Sequence, residues 1–308
     1  RHAIEVAAAG GHHLFLHGSP GAGKTMLASR LPGLLPRLEG RRALEVSEIH
    51  SVAGLLRPGM PLVTDPPFCQ PHHSASPVAL VGGGSAKEVR PGAVSIAHHG
   101  VLFLDEAAEF RGGVLDALRQ PLESGEVVIA RSGVTTRFPA QFLMVMAANP
   151  CPCGAPTGPR SCTCTSEVRR RYAARLSRPL LDRIDMQVMV DRPSRHELLH
   201  APEGESSAVV AARVVEARER TGRRLRGTPW ALNAQVSLRA LRLQFRPDPT
   251  AMHLVESALD RGSLSARGMA KVLRVAWTLA DLAGLDRPGI DEVGRALAFR
   301  AGVAGGWT

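Results

Sequence analysis

The feature that most constrains this chain is a glycine-rich segment at residues 18–25, which reads Gly-Ser-Pro-Gly-Ala-Gly-Lys-Thr. An apolar run at residues 14–16 precedes it, and an amphipathic segment at residues 26–35 follows it. A strand, a glycine loop and a helix N-terminus in this order bind phosphate, because the loop N–H groups and the helix dipole both favour anions. In such a loop the lysine reaches the terminal phosphates and the last hydroxyl ligates Mg²⁺. The residues predicted to bind the nucleotide are Gly18, Ser19, Pro20, Gly21, Ala22, Gly23, Lys24 and Thr25.

Two further strands are predicted to end in polar side chains. Residues 101–104 are apolar and lead into Asp105 and Glu106, and the apolar run at residues 142–148 leads into Asn149. In open α/β sheets, ligands bind where parallel strands end, so these side chains are expected at one edge of one sheet. There Asp105 would hold Mg²⁺, and Glu106 would act as general base on the attacking water. Asn149 is predicted to orient that water.

Composition narrows the class of protein and its partners. The chain has 308 residues, 44% of them hydrophobic, which is ordinary for a globular protein of about two domains. No apolar run approaches the roughly 20 residues that a membrane span needs, and no signal peptide is visible, so a cytoplasmic location is predicted. The first residue is Arg1, and we expect the chain to be a piece of a longer protein.

Charge leaves the nature of the partner open. The net charge of +10 indicates a polyanionic partner, and the densest basic region spans residues 169–226. That region fits a solvated helix face as well as a nucleic-acid groove. Because aromatic residues are only 4% of the chain, contact with DNA should be mainly to phosphates.

A stretch containing Pro, Gly and Ser at residues 193–206 is predicted to be a linker. It divides an ATPase core at residues 1–192 from an α-helical lid at residues 207–308. Within that lid Ser265 is predicted to be the N-cap of a helix. The helices predicted there cover residues 209–221, 231–243, 251–262, 265–283 and 290–299.

Four of the five cysteines lie within residues 151–164, as two Cys-x-Cys pairs. Cytosolic thiols stay reduced, so a disulfide framework is not expected. Four thiolates in a loop with Gly and Pro can surround Zn²⁺ tetrahedrally, and the alternative is a set of unligated thiols. The candidate ligands are Cys151, Cys153, Cys162 and Cys164.

Two pairs of adjacent histidines carry no assigned chemistry. His72 and His73 should point to opposite sides of an extended chain, which argues against a shared metal and favours a role in bracing the loop. His98 and His99 are expected to serve packing or turn formation before the Asp105 strand.

Together with the motifs above, six further short sequence motifs resemble those of a known family. They are Pro-His-His-Ser-Ala-Ser at 71–76, Val-Gly-Gly-Gly at 81–84, Arg-Pro-Gly at 90–92, Leu-Leu-Asp-Arg-Ile-Asp at 180–185, Asn-Pro-Cys-Pro-Cys-Gly at 149–154 and Leu-Ser-Ala-Arg-Gly at 264–268. Over nearly its whole length the chain resembles the magnesium-chelatase-like AAA+ ATPases, most closely the YifB/ComM branch. The resemblance implies an α/β P-loop core with a parallel sheet and helices on both faces, followed by an α-helical lid.

The resemblance also implies a homo-hexameric ring with ATP bound between subunits. Arg183 matches the arginine finger and Arg267 matches the second sensor arginine. A pre-sensor hairpin, predicted at about 125–138, and an insertion in the second helix would face the pore. The candidates for DNA contact on these elements are Lys87, Arg90, Arg131 and Arg137.

The function expected from the resemblance is an ATP-driven motor on single-stranded or branched DNA. It is similar to the branch-migration helicases of this family, which serve natural transformation and recombination. Two alternatives stay open: a chelatase-type ATPase that drives metal insertion into a tetrapyrrole, and an ATPase that remodels a protein. The motifs taken alone support ATP hydrolysis.

Overall fold

A computed structural model gives the architecture. The described residues form one five-stranded parallel sheet and two short antiparallel ribbons of two strands each. The strands are β1 (Leu14–His17), β2 (Phe68–Cys69), β3 (Gly82–Gly84), β4 (Val89–Pro91), β5 (Val101–Leu104), β6 (Glu126–Arg131), β7 (Val134–Pro139), β8 (Leu143–Ala148) and β9 (Met186–Met189). The structure describes residues 1–56, 58–59, 62–85, 88–131, 134–154, 162–200 and 204–301.

The order of strands in the sheet is β2-β5-β8-β1-β9. Strand β5 pairs in parallel with β8, with Val101 opposite Leu143. Both strands are buried along their whole length, as expected of parallel strands that are covered on both faces. The predicted α/β core with a parallel sheet is confirmed, and the carboxyl ends of β1, β5 and β8 reach one edge of it.

Helices fill most of the remaining chain and dominate its C-terminal third. The helices are α1 (His2–Gly10), α2 (Lys24–Arg30), α3 (Gly40–Val52), α4 (Pro77–Val81), α5 (Ala93–Ile96), α6 (Arg119–Ser124), α7 (Ser166–Ala173), α8 (Arg178–Leu181), α9 (Arg195–His200), α10 (Ser207–Arg224), α11 (Leu238–Leu243), α12 (Pro249–Asp260), α13 (Ala266–Ala283) and α14 (Ile290–Ala301). Within the described residues, no helix combines the length and apolar character needed to cross a membrane.

The chain forms two compact units whose bounds differ from the predicted domains. One unit holds residues 16–183 and 190–192, and the other holds residues 1–15, 184–189 and 193–308. The first fifteen residues thus group with the C-terminal helices. The predicted linker also contains structure, because α9 lies inside it.

The unit that holds residues 1–15, 184–189 and 193–308 is built around α13, which packs against α1, α10 and α14. Ser265 caps this helix as predicted, since its side chain accepts the Gly268 N–H. A buried polar network lies beside α13, where the carboxylate of Asp281 accepts hydrogen bonds from Thr221, Asn233 and the guanidinium of Arg224. Every member is paired, so the network costs little as long as it is complete.

One predicted helix, at residues 231–243, is wrong in its first half. The structure has a 3₁₀ turn at Asn233–Gln235 and begins α11 only at Leu238. Ser237 has an extended backbone and its side chain accepts the Ala240 N–H, so it starts a new helix and does not continue an old one. The carbonyl of Val236, left outside a helix, accepts a hydrogen bond from Arg274.

Candidate nucleotide-binding site and cysteine cluster

The glycine-rich segment forms the loop between β1 and α2. A methyl group at Gly18 would lie 2.1 Å from the Val190 carbonyl oxygen, so only glycine permits this close approach. Gly23 has φ 87° and forms the N-cap of α2, a conformation that favours glycine. The predicted order of strand, loop and helix is therefore present, with the helix beginning at Lys24.

Lys24 is held at the base of this loop. Its Nζ donates to the carbonyl oxygens of Gly18 at 2.7 Å and Ser19 at 3.0 Å. It also donates to Asn149 Oδ1 at 3.1 Å, although the two residues are far apart in the chain. Burial lowers the pKa of Lys24, and the nearby charge of Asp105 opposes that shift. The positive charge of Lys24 therefore lies at the predicted phosphate-binding loop, beside the side-chain amide of Asn149 that is predicted to orient water.

The two predicted magnesium ligands are in contact. Thr25 Oγ1 donates to Asp105 Oδ2 at 2.8 Å, and the other carboxylate oxygen accepts the backbone N–H of Glu106 at 2.9 Å. A hydroxyl and a carboxylate side by side match the oxygen ligands that Mg²⁺ prefers. Glu106 itself has φ 50°, an uncommon conformation for a residue other than glycine, and strain of this kind is typical of functional sites.

His73 is a neighbour of Glu106 that the sequence did not reveal. Its Nδ1 lies 3.1 Å from Glu106 Oε2. The rings of His72 and His73 are 4.0 Å apart, so the expectation that they point to opposite sides is wrong. Residues 71–76 form a turn and not an extended strand, which removes the basis for that expectation.

Arg192 is a second neighbour that sequence reasoning missed. Its Nε donates to the carbonyl oxygen of Pro20 at 2.6 Å, and its guanidinium lies beside Gly21. This arginine follows β9 and belongs to no motif, so no local pattern indicated its place. It adds a positive charge at the tip of the loop.

The two arginines predicted to act in ATP hydrolysis occupy different settings. Arg183 is only 14% exposed and pairs with the carboxylate of Glu123. Its Nη1 also donates to the Pro179 carbonyl at 2.6 Å. Arg267 is exposed in the first turn of α13. An arginine finger must reach the nucleotide of a neighbouring subunit, so Arg183 would have to release Glu123 to do so. The finger role of Arg183 and the sensor role of Arg267 stay predictions.

The predicted hairpin exists as β6 and β7, with Val128 opposite Arg137. Arg137 is exposed and pairs with Glu126 at 2.6 Å. Arg90 lies in the ribbon of β3 and β4, where it pairs with Glu88 at 2.7 Å. Lys87 and the side chain of Arg131 lie outside the described residues.

The four clustered cysteines converge on one point. Their sulfur atoms all lie within 4.8 Å of one another. Cys151 Sγ is 3.1 Å from Cys153 Sγ and 3.5 Å from Cys162 Sγ, and Cys153 is 3.6 Å from Cys162. Hydrogen bonding with Cys153 raises the pKa of the Cys164 thiol. This donor set suits a closed tetrahedral zinc site.

A second cluster brings His98 and His99 to the carboxylate of Glu45. Their Nε2 atoms lie 3.4 Å and 3.1 Å from the same oxygen. Because His98 Nδ1 accepts the Gln141 N–H at 3.0 Å, the proton of the neutral ring is on Nε2 and points to Glu45. Burial lowers the pKa of His98 to about 4. The cluster is a hydrogen-bonded brace, in line with the structural role predicted for these histidines.

Comparison with known proteins agrees with this geometry. The family described as "Magnesium chelatase, subunit ChlI" matches residues 1–198, and the family of its C-terminal part matches residues 204–300. The chain therefore belongs to the magnesium-chelatase family of AAA+-type ATPases, in its YifB/ComM-type branch.

Relatives in the family share sequence over nearly the whole chain. An uncharacterized protein of Mycobacterium tuberculosis is 57% identical over 97% of this chain and 59% of its own length. The competence protein ComM of Haemophilus influenzae is 40% identical over 98% of this chain and 58% of its own length. YifB of Escherichia coli, also uncharacterized, is 41% identical over 97% and 58%. The chain thus spans about three fifths of the length of the curated relatives it matches.

Proposed function

We propose that this protein is an ATP-hydrolysing AAA+ ring motor that acts on DNA, with a ComM-like role in branch migration during transformation and recombination. The observation that carries the ATPase part is the meeting of Lys24 with Asn149 and of Thr25 with Asp105 at the ends of β5, β8 and β1, which are consecutive strands in the sheet. These side chains meet at one edge of the sheet, which supports the roles proposed for Lys24 in binding phosphate, for Thr25 and Asp105 in binding Mg²⁺, and for Asn149 in orienting water. The DNA part is supported by the similarity to ComM and by the net charge of +10.

In the proposed mechanism each side chain acts on a stated atom. Lys24 leaves its carbonyl partners to neutralise charge on the terminal phosphates, and loop N–H groups bind the remaining oxygens. Glu106 accepts the proton of the attacking water, which Asn149 orients. Thr25 and Asp105 would hold Mg²⁺, which supplies charge neutralisation between the phosphates when bound.

A ring, taken to be a homo-hexamer, completes the site from the neighbouring subunit. Arg183 is proposed to supply the finger, which in other ATPases is worth roughly 10³ to 10⁵ in turnover. Arg267 is proposed to sense the nucleotide. The ring is expected in the cytoplasm.

DNA is proposed to bind through phosphates on the two ribbons. The exposed arginines Arg90 and Arg137 are each paired with the carboxylate of a neighbouring glutamate. On DNA binding, a phosphate would take the place of that carboxylate as the partner of the arginine. Lys87 and Arg131 are the further candidates on these elements. Such contacts release counterions, so binding should weaken steeply with salt.

Zinc is proposed as a structural ion at Cys151, Cys153, Cys162 and Cys164. The four sulfur atoms converge, and a closed set of four thiolates has no open position for catalysis. The ion would brace the segment that follows Asn149.

The test is steady-state ATP hydrolysis with and without single-stranded and forked DNA, with Glu106→Gln as the blank. Stimulation by DNA that fades with added salt, and turnover that disappears in the blank, are the expected results. Turnover that vanishes in the blank but ignores every DNA would retain the ATPase and reject the DNA motor. It would favour a chelatase-type or protein-remodelling ATPase, in view of the 26% identity to a magnesium-chelatase subunit over 44% of the chain.

A further inference from the structure

The contact between His73 and Glu106 joins the predicted general base to a segment that has no assigned role. His73 lies between β2 and α4, and its Nδ1 is 3.1 Å from Glu106 Oε2. The side chains are 36% and 55% exposed, so water reaches both. A carboxylate can only accept, so the imidazole must donate through Nδ1.

The backbone of Glu106 is held firmly, but its long side chain is not buried. The Glu106 N–H is bonded to Asp105 Oδ1, and the residue enters a 3₁₀ turn at Ala107–Glu109. Beyond Cβ, an exposed glutamate keeps several rotamers of similar energy. Hydrolysis requires one of them, since a general base must lie within hydrogen-bond reach of the water it deprotonates.

His73 is itself held in position. The ring of His72 lies against it at 4.0 Å between centroids. His72 Nδ1 is 2.8 Å from the hydroxyl of Ser74 and accepts the Ser74 N–H at 3.3 Å, so the turn closes on itself. A donor on a closed turn can select a rotamer of a neighbouring carboxylate.

We propose that His73 is a positioning residue for ATP hydrolysis, which holds Glu106 by Oε2 and leaves Oε1 to accept the proton of the attacking water. This role presupposes the ATPase activity proposed above. In this role His73 contacts neither the attacking water nor the nucleotide and acts only through Glu106. Its loss should therefore lower the rate of the chemical step and leave ATP binding unchanged.

The experiment compares kcat and KM for ATP in the wild type, His73→Ala, His73→Asn and His253→Ala. His253 is a matched control, because its Nδ1 also lies 3.1 Å from a glutamate oxygen, that of Glu256, on the exposed face of α12. His73→Ala should lower kcat about tenfold with KM within about twofold, as expected for a misplaced catalytic group. His73→Asn retains a donor near the position of Nδ1 and should recover part of kcat. The control should match the wild type.

A second arm places His73→Ala in the Glu106→Gln background and follows the slow residual hydrolysis of that background under single-turnover conditions. If His73 acts through the carboxylate, its removal should have no further effect there, because the two losses are not additive. Unchanged or higher kcat in His73→Ala, or an equal loss in both backgrounds, would overturn the proposal. Wild-type turnover no greater than that of Glu106→Gln would instead reject the ATPase itself, and the role of His73 with it. Circular dichroism of each variant checks the fold.

Discussion

The cysteine cluster allows the sharpest test of a prediction made from sequence and geometry together. With Zn–S bonds of about 2.3 Å, tetrahedral ligands have S···S separations of about 3.8 Å. Cys151, Cys153 and Cys162 have sulfur separations of 3.1, 3.5 and 3.6 Å, so these three atoms need to move apart by about 0.2 to 0.7 Å. The loop is therefore close to the ligated geometry. An apparent binding free energy of about 10 kcal/mol or more is expected, which corresponds to a Kd below about 100 nM.

The change that tests this is Cys153→Ser, with Cys69→Ser as the matched control. Cys69 stands apart from the cluster, and burial raises the pKa of its thiol to about 11, which leaves it protonated. Elemental analysis of the purified protein should give one zinc per chain in the wild type and the control. Competition with a chromophoric chelator should show that Cys153→Ser binds zinc more weakly by more than the roughly 10–100-fold cost of losing an outer-shell partner.

Cobalt substitution identifies the ligands independently, since tetrahedral thiolate ligation gives Co²⁺ a characteristic intense spectrum. The spectrum should appear with the control and be lost or altered with Cys153→Ser. A zinc content far below one per chain, or equal zinc affinity in both variants, would refute the reasoning from sulfur spacing.

The remaining predictions concern hydrolysis and stability. Arg183→Ala should lower the turnover of the assembled ring by about 10³ to 10⁵ while a fluorescent-nucleotide titration shows unchanged binding, and full turnover would exclude a finger role. Burial lowers the pKa of His98 to about 4, so the folded protein keeps this ring neutral while the unfolded chain takes up a proton below about pH 6.5. The free energy of unfolding should therefore fall between pH 6.5 and 4, and His98→Gln should remove about 3 kcal/mol of that fall in urea titrations. Asp281→Ala should lower the free energy of unfolding by about 3–5 kcal/mol, because it leaves the guanidinium of Arg224 without its carboxylate; a loss below about 1 kcal/mol would contradict the importance of the network.

Much of the fold could be predicted because its signals are contiguous. The loop at residues 18–25 carries its own strand and helix start, and β5 and β8 are short apolar runs that end in polar residues. The contact of Lys24 with Asn149 could also be anticipated, because the carboxyl ends of neighbouring parallel strands meet at one edge of the sheet. Helix α13 could be predicted from equally local signals, a serine N-cap and a long apolar face.

Contacts made by irregular segments could not be predicted in the same way. The pairing of His73 with Glu106 depends on the turn at residues 71–76 and on the left-handed backbone of Glu106, and neither has a periodic signal. The rule that adjacent side chains point apart holds for extended chain, and it failed at His72 because the backbone turns there. The place of residues 1–15 among the C-terminal helices likewise depends on packing, which a linear division of the chain does not represent.

The surroundings of the phosphate-binding loop follow from the strand order. Strand β1 lies between β8 and β9, so the segments that leave these two neighbours flank the loop that leaves β1. Arg192, after β9, donates to the Pro20 carbonyl, and a methyl group at Gly154, after β8, would lie 3.3 Å from the Pro20 ring. Gly154 directly follows the first cysteine pair. We therefore expect an ion bound by the four thiolates to hold one wall of the predicted nucleotide-binding loop, which would give a metal site next to Asn149 a structural role.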